Sequence, residues 1–292
     1  MLHALFAVLL LSGQKTDSVV IASGATLQKL GGGYAFTEGP VNDDQGNVYF
    51  TDQPNDRIMK WNIDGSVEEW MKPCGRANGM AFDKKGNLIA CADEKNELWS
   101  ISPDKKVEVL IHNYHGKLMN GPNDVWIRPD GGMYITDPLY ARPYWKRRPE
   151  SELPGNHVYF LSPNRKSIAQ VTRDLKTPNG IVGTPDGYYL YVADLGLNET
   201  FRYRIQKDGN LSEKTLFCKL GSDGMTLDAK GNVYLSGKGV TVFDKTGHQI
   251  EYIPVPESWV GHVCFGGKDH SLLFITASNG IYGLQMKNRG AY

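Results

Sequence analysis

The chain has little that would tie it to a membrane or to a polyanion. Its one long apolar run, MLHALFAVLLLSGQ at residues 1–14, is too short to span a bilayer, which takes about 20 apolar residues. Lys plus Arg and Asp plus Glu both number 32, so no field of one sign draws the chain to nucleic acid or anionic lipid. Cysteine is scarce, and Cys74, Cys91, Cys218 and Cys264 stand far apart without a CxxC pair. That spacing, with 7 scattered His, disfavours a zinc centre. Four cysteines allow about three pairings that spacing does not separate; Cys91, Cys218 and Cys264 sit in strand-like runs and read as buried free thiols. No linker or shift in composition divides the chain, so one domain over 18–292 is predicted.

The apolar run 1–14, bounded by small and polar residues, reads as a secretory signal, although no Lys or Arg precedes it. Export to a periplasm or to the medium is the expectation. Gln14 stands where a lipoprotein signal would carry Cys.

What is abundant points to strands and tight turns: 33 Gly, 15 Pro and 15 Tyr. One pattern recurs, an apolar run, an Asp/Pro–Gly turn, then residues alternating with period two, as in VNDDQGNVYFTD (41–52), AFDKKGNLIACAD (81–93) and VWIRPDGGMYITD (125–137). It returns as IVGTPDGYYLYVAD (181–194), LDAKGNVYLSG (227–237) and FGGKDHSLLFITA (265–277). The turn glycines Gly46, Gly86, Gly131, Gly187 and Gly231 are 40, 45, 56 and 44 residues apart, and Asp269-His270 takes that place in the sixth copy. Units of about 40–50 residues with three or four strands are propeller blades, so an all-β, six-bladed propeller is predicted. The segment 18–31 has no blade of its own and is expected to lend a strand to the last one, closing the ring and hiding sheet edges. The longest interval holds an insertion, PLYARPYWKRRPESELPGN (138–156). It is either a solvated loop or a lid over the tunnel mouth.

Four stretches, FTEGP, GPNDV, TPNGI and GSDGM, each precede an apolar run. They place Glu38, Asn123, Asn179 and Asp223 at one phase of the repeat, and Asn78 and His262 complete the set of six. Singly, Asn or Asp before Gly is ordinary turn chemistry. Six polar residues at one end of six blades converge on the axis instead. Carboxylate and amide oxygens together suit a hard divalent cation such as calcium, with positions left open for water or substrate.

The ordered set EGP, GPND…YITDP, TPNG with PDG…LYVAD, SDGM and FGG…LFIT resembles the senescence marker protein/gluconolactonase/luciferin-regenerating enzyme family over about residues 34–286. The resemblance implies a propeller with a central divalent metal held by Glu38, Asn179 and Asp223. Asn123 matches a position that binds metal in some members and substrate in others. A more distant likeness runs to diisopropyl-fluorophosphatase. Gly121 departs from regucalcin-like members, which present Arg there; His262 stands where bacterial members often have Asn, and Cys264 near the fluorophosphatase's tunnel His.

The chemistry implied is hydrolysis of a lactone, with the cation polarising the carbonyl and Asp223 taking a proton from water. Asp124 and Asp137 are reserve bases, Asp124 more suited to bracing its loop and Asp137 to a structural role. Asn123, Asn78, Arg76 and His262 are candidate substrate contacts, with Tyr140 and Trp145 as an apolar wall. The expected partner is a small lactone such as glucono-1,5-lactone, met by a monomer or weak oligomer. Phosphotriester or fluorophosphate hydrolysis, and a non-catalytic ligand-binding propeller, are the competing readings.

Overall fold

Alternating residues and tight Asp–Gly turns produce one unit again and again, a meander of four antiparallel strands. A computed structural model describes residues 18–292; the expected signal segment 1–14 lies outside the described residues. The first blade is Thr37–Asn42, Val48–Asp52, Arg57–Trp61 and Val67–Met71. The second is Ala77–Phe82, Leu88–Ala92, Glu97–Ile101 and Val107–Ile111. The third is Val125–Ile127, Met133–Asp137, His157–Leu161 and Ile168–Gln170. Pro178–Gly183, Tyr189–Asp194, Glu199–Ile205 and Leu211–Cys218 form the fourth. Met225–Leu227, Val233–Ser236, Val240–Phe243 and Gln249–Ile253 form the fifth.

The sixth blade takes Val260–Gly266, Leu272–Ala277 and Gly280–Gln285 from the end of the chain and its outermost strand, Gln28–Gly32, from the beginning. Gln28 pairs Gly283 and Lys29 pairs Tyr282 in that closing ladder. The first strand of each blade packs against those of its neighbours, and Thr37–Asn42 against Val260–Gly266 completes the ring. The protein is therefore the six-bladed propeller that the repeat predicts, closed by the segment expected to close it.

The hairpin turn is set by side chains as much as by glycine. In the first blade Asp43 Oδ1 accepts from the N–H of Gln45 (3.0 Å) and Asn47 (2.9 Å), while Asn47 Nδ2 donates to Asp43 Oδ2 at 2.8 Å. Asp83 with Asn87 and Asp228 with Asn232 repeat the arrangement. Local bonds of this kind fix the turn before any tertiary contact forms.

The core lies between sheets. Trp126, Tyr134, Ile181, Tyr191, Leu227 and Leu235 interlock across the third, fourth and fifth blades, each large side chain contributing about 1.5–3 kcal/mol by burial. All four cysteines are buried and free, Cys74 included.

Candidate functional site

The hub is where the ladders fail. Register shifts fall between Glu38 and Val41, Ala77 and Met80, Pro178 and Ile181, and Val260 and His262. A bulge re-aims the side chain it carries, and here it turns Glu38, Asn78 and Asn179 toward a common cavity. The neighbouring glycines let the blades crowd together. A Cβ at Gly39, whose φ is +42, would lie 2.0 Å from the Asn78 carbonyl oxygen, and one at Gly224 would lie 2.0 Å from the His262 ring.

The cavity at this end of the axis measures about 240 Å³. Glu38, Asn78, Asn123, Asn179, Asp223 and Tyr140 all line it. The structure thus brings together six of the residues singled out in the sequence. Phe36, Gln53, Arg142, Leu195 and Trp259 also line it and were missed. Trp259 stands three residues before His262, in the loop leading into the last inner strand, and position alone would have marked it. Arg142 lies in the insertion 138–156, outside the repeat that marks the other residues.

Two expected substrate contacts lie elsewhere. Arg76 has φ of +49 and its N–H donates to Asp56 Oδ1 at 2.7 Å. Its guanidinium stacks under Tyr144, 4.5 Å from the ring centroid, and donates to the Pro54 carbonyl. His262 turns to the other side of the hub, where Nε2 donates to Asp124 Oδ2 at 3.2 Å and Nδ1 to the Val263 carbonyl oxygen at 3.0 Å. Burial works against the imidazolium, but the Asp124 and Glu38 carboxylates outweigh it and raise the His262 pKa to about 9.

Asp124 replaces the glycine found after the hub residue in the neighbouring repeats. Its Oδ2 also accepts from the Ile181 N–H at 3.0 Å, so it braces the fourth blade. Asp137 accepts from the N–H groups of Asn120 (2.9 Å) and Gly121 (2.8 Å) and faces away from the cavity. Trp145 does not wall the cavity; its indole donates to Asp93 Oδ1 at 3.1 Å. A larger cavity of about 680 Å³ opens on the opposite face and reaches His262 and Asp124. Its walls are largely Val41, Met80, Phe82, Trp126 and their apolar neighbours, without the converging oxygens of the smaller one.

The smaller cavity is electrostatically unfinished. Glu38 is 4 % exposed, and the one hydrogen bond it accepts is from Gly39 N–H at 3.1 Å. Burial, with the neighbouring charge of Asp223, pushes the Glu38 pKa up to about 8. Asp223 keeps some exposed surface, as lining an open cavity requires, yet is walled in enough that burial raises its pKa to about 6. The Trp259 indole, donating to Asp223 Oδ2 at 2.6 Å, opposes that rise. Asn179 donates from Nδ2 to the Tyr140 hydroxyl at 3.2 Å, and its buried Oδ1 has no partner among the described residues. Two confined carboxylates beside an orphaned amide oxygen form a set that a cation completes. The donors are all oxygen, which fits calcium and not zinc. Among the described residues no group of three or more His, Cys, Asp or Glu is placed to hold a metal, so a cation here relies on amide oxygens beside the two carboxylates.

Fold and cavity together define a six-bladed propeller with an oxygen-lined site at its hub. The chain belongs to the SMP-30/gluconolactonase/LRE-like family, whose region matches residues 36–279. It is 28 % identical over 285 residues to a gluconolactonase of Zymomonas mobilis, covering 87 % of this chain and 80 % of the relative. A pentonolactonase of Haloferax volcanii is 23 % identical over 254 residues, covering 83 % and 81 %. The solved structure of a gluconolactonase from Xanthomonas campestris superposes with a TM-score of 0.85 at 28 % identity, over 91 % of each chain.

Proposed function

We propose that this chain is a lactonase, opening a sugar-type lactone such as glucono-1,5-lactone with the help of a calcium ion. The observation that carries the reading is the pairing of Glu38 and Asp223 in one hub cavity beside the unpartnered Asn179 Oδ1. The gluconolactonase and pentonolactonase relatives support the reaction class. The cavity lies below the about 300–1,000 Å³ of pockets for drug-sized ligands, which suits a single sugar ring.

Glu38, Asn179 and Asp223 would hold the cation, with Asn123 as a fourth oxygen or as a substrate contact. A cation bound there supplies Lewis-acid polarisation of the lactone carbonyl. The rest is the work of this chain's residues. Asp223 accepts the proton of the attacking water at its carboxylate, held in place by the Trp259 indole. Asn78, Asn123 and Gln53 offer amide groups to substrate hydroxyls around the cavity wall. Tyr140 closes one side and fixes the Asn179 amide through its hydroxyl.

The test is a panel of lactones and phosphotriesters assayed with calcium, magnesium, zinc and a chelator. Because gluconolactone opens unaided, rates are taken above the spontaneous one. Calcium-dependent turnover of lactones supports the reading. Turnover of phosphotriesters alone, or lactone turnover untouched by chelation, overturns it. The N-terminal run 1–14 we take as an export signal, which a comparison of the mature N-terminus with the encoded one would decide.

A further inference from the structure

The second strand of several blades ends in an Asp with a fixed duty. Asp52 accepts from the N–H of Ala35 (2.9 Å) and Phe36 (3.3 Å), the residues leading into its own blade's inner strand. Asp137 does the same for Asn120 and Gly121, and Asp194 for Lys176 (2.6 Å) and Thr177 (2.9 Å). In the second blade that strand-end place is held by Ala92, and Asp93 is the residue after it. The N–H groups of Cys74 (2.9 Å) and Arg76 (2.7 Å) are taken by Asp56, from the first blade.

One residue beyond the strand end, the Asp93 carboxylate is turned toward the insertion. Its Oδ2 accepts from Arg142 Nε at 2.8 Å and the Tyr144 hydroxyl at 2.9 Å, and Oδ1 accepts from Trp145 Nε1 at 3.1 Å. The inserted segment is thereby pinned over the hub. Gly121, with φ of +147, marks how closely it sits: a Cβ there would lie 3.0 Å from Asp93 Oδ1 and 3.1 Å from Trp145 Cζ2. Arg142 lines the cavity, its Nε committed to Asp93 and its two terminal nitrogens without a hydrogen-bond acceptor among the described residues. A guanidinium gripped at one edge presents the other as a preorganised pair of donors.

We infer that Arg142 is a substrate-binding residue of this site, donating to ring hydroxyls of an uncharged polyhydroxylated lactone, and that Asp93 is the residue positioning it. The charge inventory selects the substrate class. Asp93 balances Arg142, and a divalent cation balances Glu38 with Asp223, so no positive charge remains for an anionic group. The inference rests on the lactonase reading for its substrate, though not for its recognition of a sugar ring.

The test uses the full-length protein and its R142A, R142K and D93N variants. R142A should lose about 10- to 100-fold in kcat/KM on glucono-1,5-lactone, the range for a hydrogen bond to a charged group. The loss should fall on KM, and the preference for that lactone over δ-valerolactone, which lacks the hydroxyls, should shrink by the same factor. R142K should recover only part, lacking the fork. D93N should raise KM in the same direction and add nothing in the double variant with R142A; a full additional loss there would make Asp93 merely structural. Equal losses on both lactones, or stronger turnover of a 6-phosphorylated lactone than of the neutral one, would overturn the assignment. Calorimetric binding of 1,5-anhydroglucitol separates this inference from the activity. Weaker binding by R142A in a protein that opens no lactone would sink the lactonase reading and leave this one. Unchanged binding in R142A, or none in the wild type, would sink this one.

Discussion

The carboxylates at the strand ends and Glu38 at the hub are both buried and differently employed. Asp52 is fully buried and accepts from two backbone N–H groups, from Asn55 Nδ2 at 2.8 Å and from the Arg57 guanidinium at 2.8–2.9 Å. Glu38, on the inner strand of the same blade, accepts one N–H. Both cost free energy to desolvate. At the strand end hydrogen bonds within the fold offset that cost; at the hub they do not. A buried carboxyl left with few partners is a candidate for a bound species, and the number of partners separates the two roles better than burial does.

The largest effects should come from the hub, on activity alone. Asp223→Asn should lower turnover by about 10²–10⁴-fold, the range for loss of a general base, while circular dichroism and melting temperature stay near wild type. Wild-type turnover would remove Asp223 from the chemistry. Removal of cations should stop turnover, and calcium should restore it while raising the melting temperature, by about 2.7 kcal/mol of stability at a hundredfold excess over Kd. Glu38→Gln should lose most of that calcium-dependent rise. An equal rise in Glu38→Gln would place the cation elsewhere.

The strand ends should show the opposite profile. Asp52→Ala leaves Arg57 and two N–H groups without their acceptor and should cost about 3 kcal/mol of stability, read by denaturant titration. Activity per folded molecule should be kept, since Asp52 does not line the cavity. A variant of Asp52 that folds normally but turns over poorly would erase the distinction.

The fold was readable because each blade repeats its own turn chemistry, and Asp43–Gly46–Asn47 is visible as letters. Glu38, Asn78, Asn123, Asn179 and Asp223 were readable for the same reason, since one phase of a closed repeat meets at the axis. What could not be read are residues whose role depends on contacts between blades. In the second blade Ala92 stands where Asp52 and Asp194 stand in theirs, Asp56 takes the backbone donors, and Asp93, one residue on, is left to the insertion. Arg142 becomes a wall of the cavity only because Asp93 holds it there. Arg76 looked better placed in the sequence, but its left-handed backbone directs the side chain outward. His262 falls one residue past the phase of Glu38 and Asn78, which Gly261 holds in the sixth blade, so its side chain turns to the other side of the hub, where it meets Asp124.

Asp137 tests how finely the comparison holds, because it is a strand-end carboxylate with fewer partners than Asp52. Two N–H groups hold it, and Arg147 lowers its pKa only from a distance, so burial prevails and raises it to about 7. A carboxyl whose folded pKa lies above its unfolded value near 3.8 stabilises the fold below that lower value. The contribution is lost as pH rises through the folded value. The Asp137 contribution to wild-type stability should therefore decline between about pH 4 and pH 7 by a few kcal/mol at most, since each pH unit between the two values contributes about 1.4 kcal/mol. Asp137→Asn should lack this part of the slope, as followed by urea midpoints across that range. The same slope in both proteins would mean that two backbone donors already suffice to hold the charge, and that partner number alone does not grade the strand-end carboxylates.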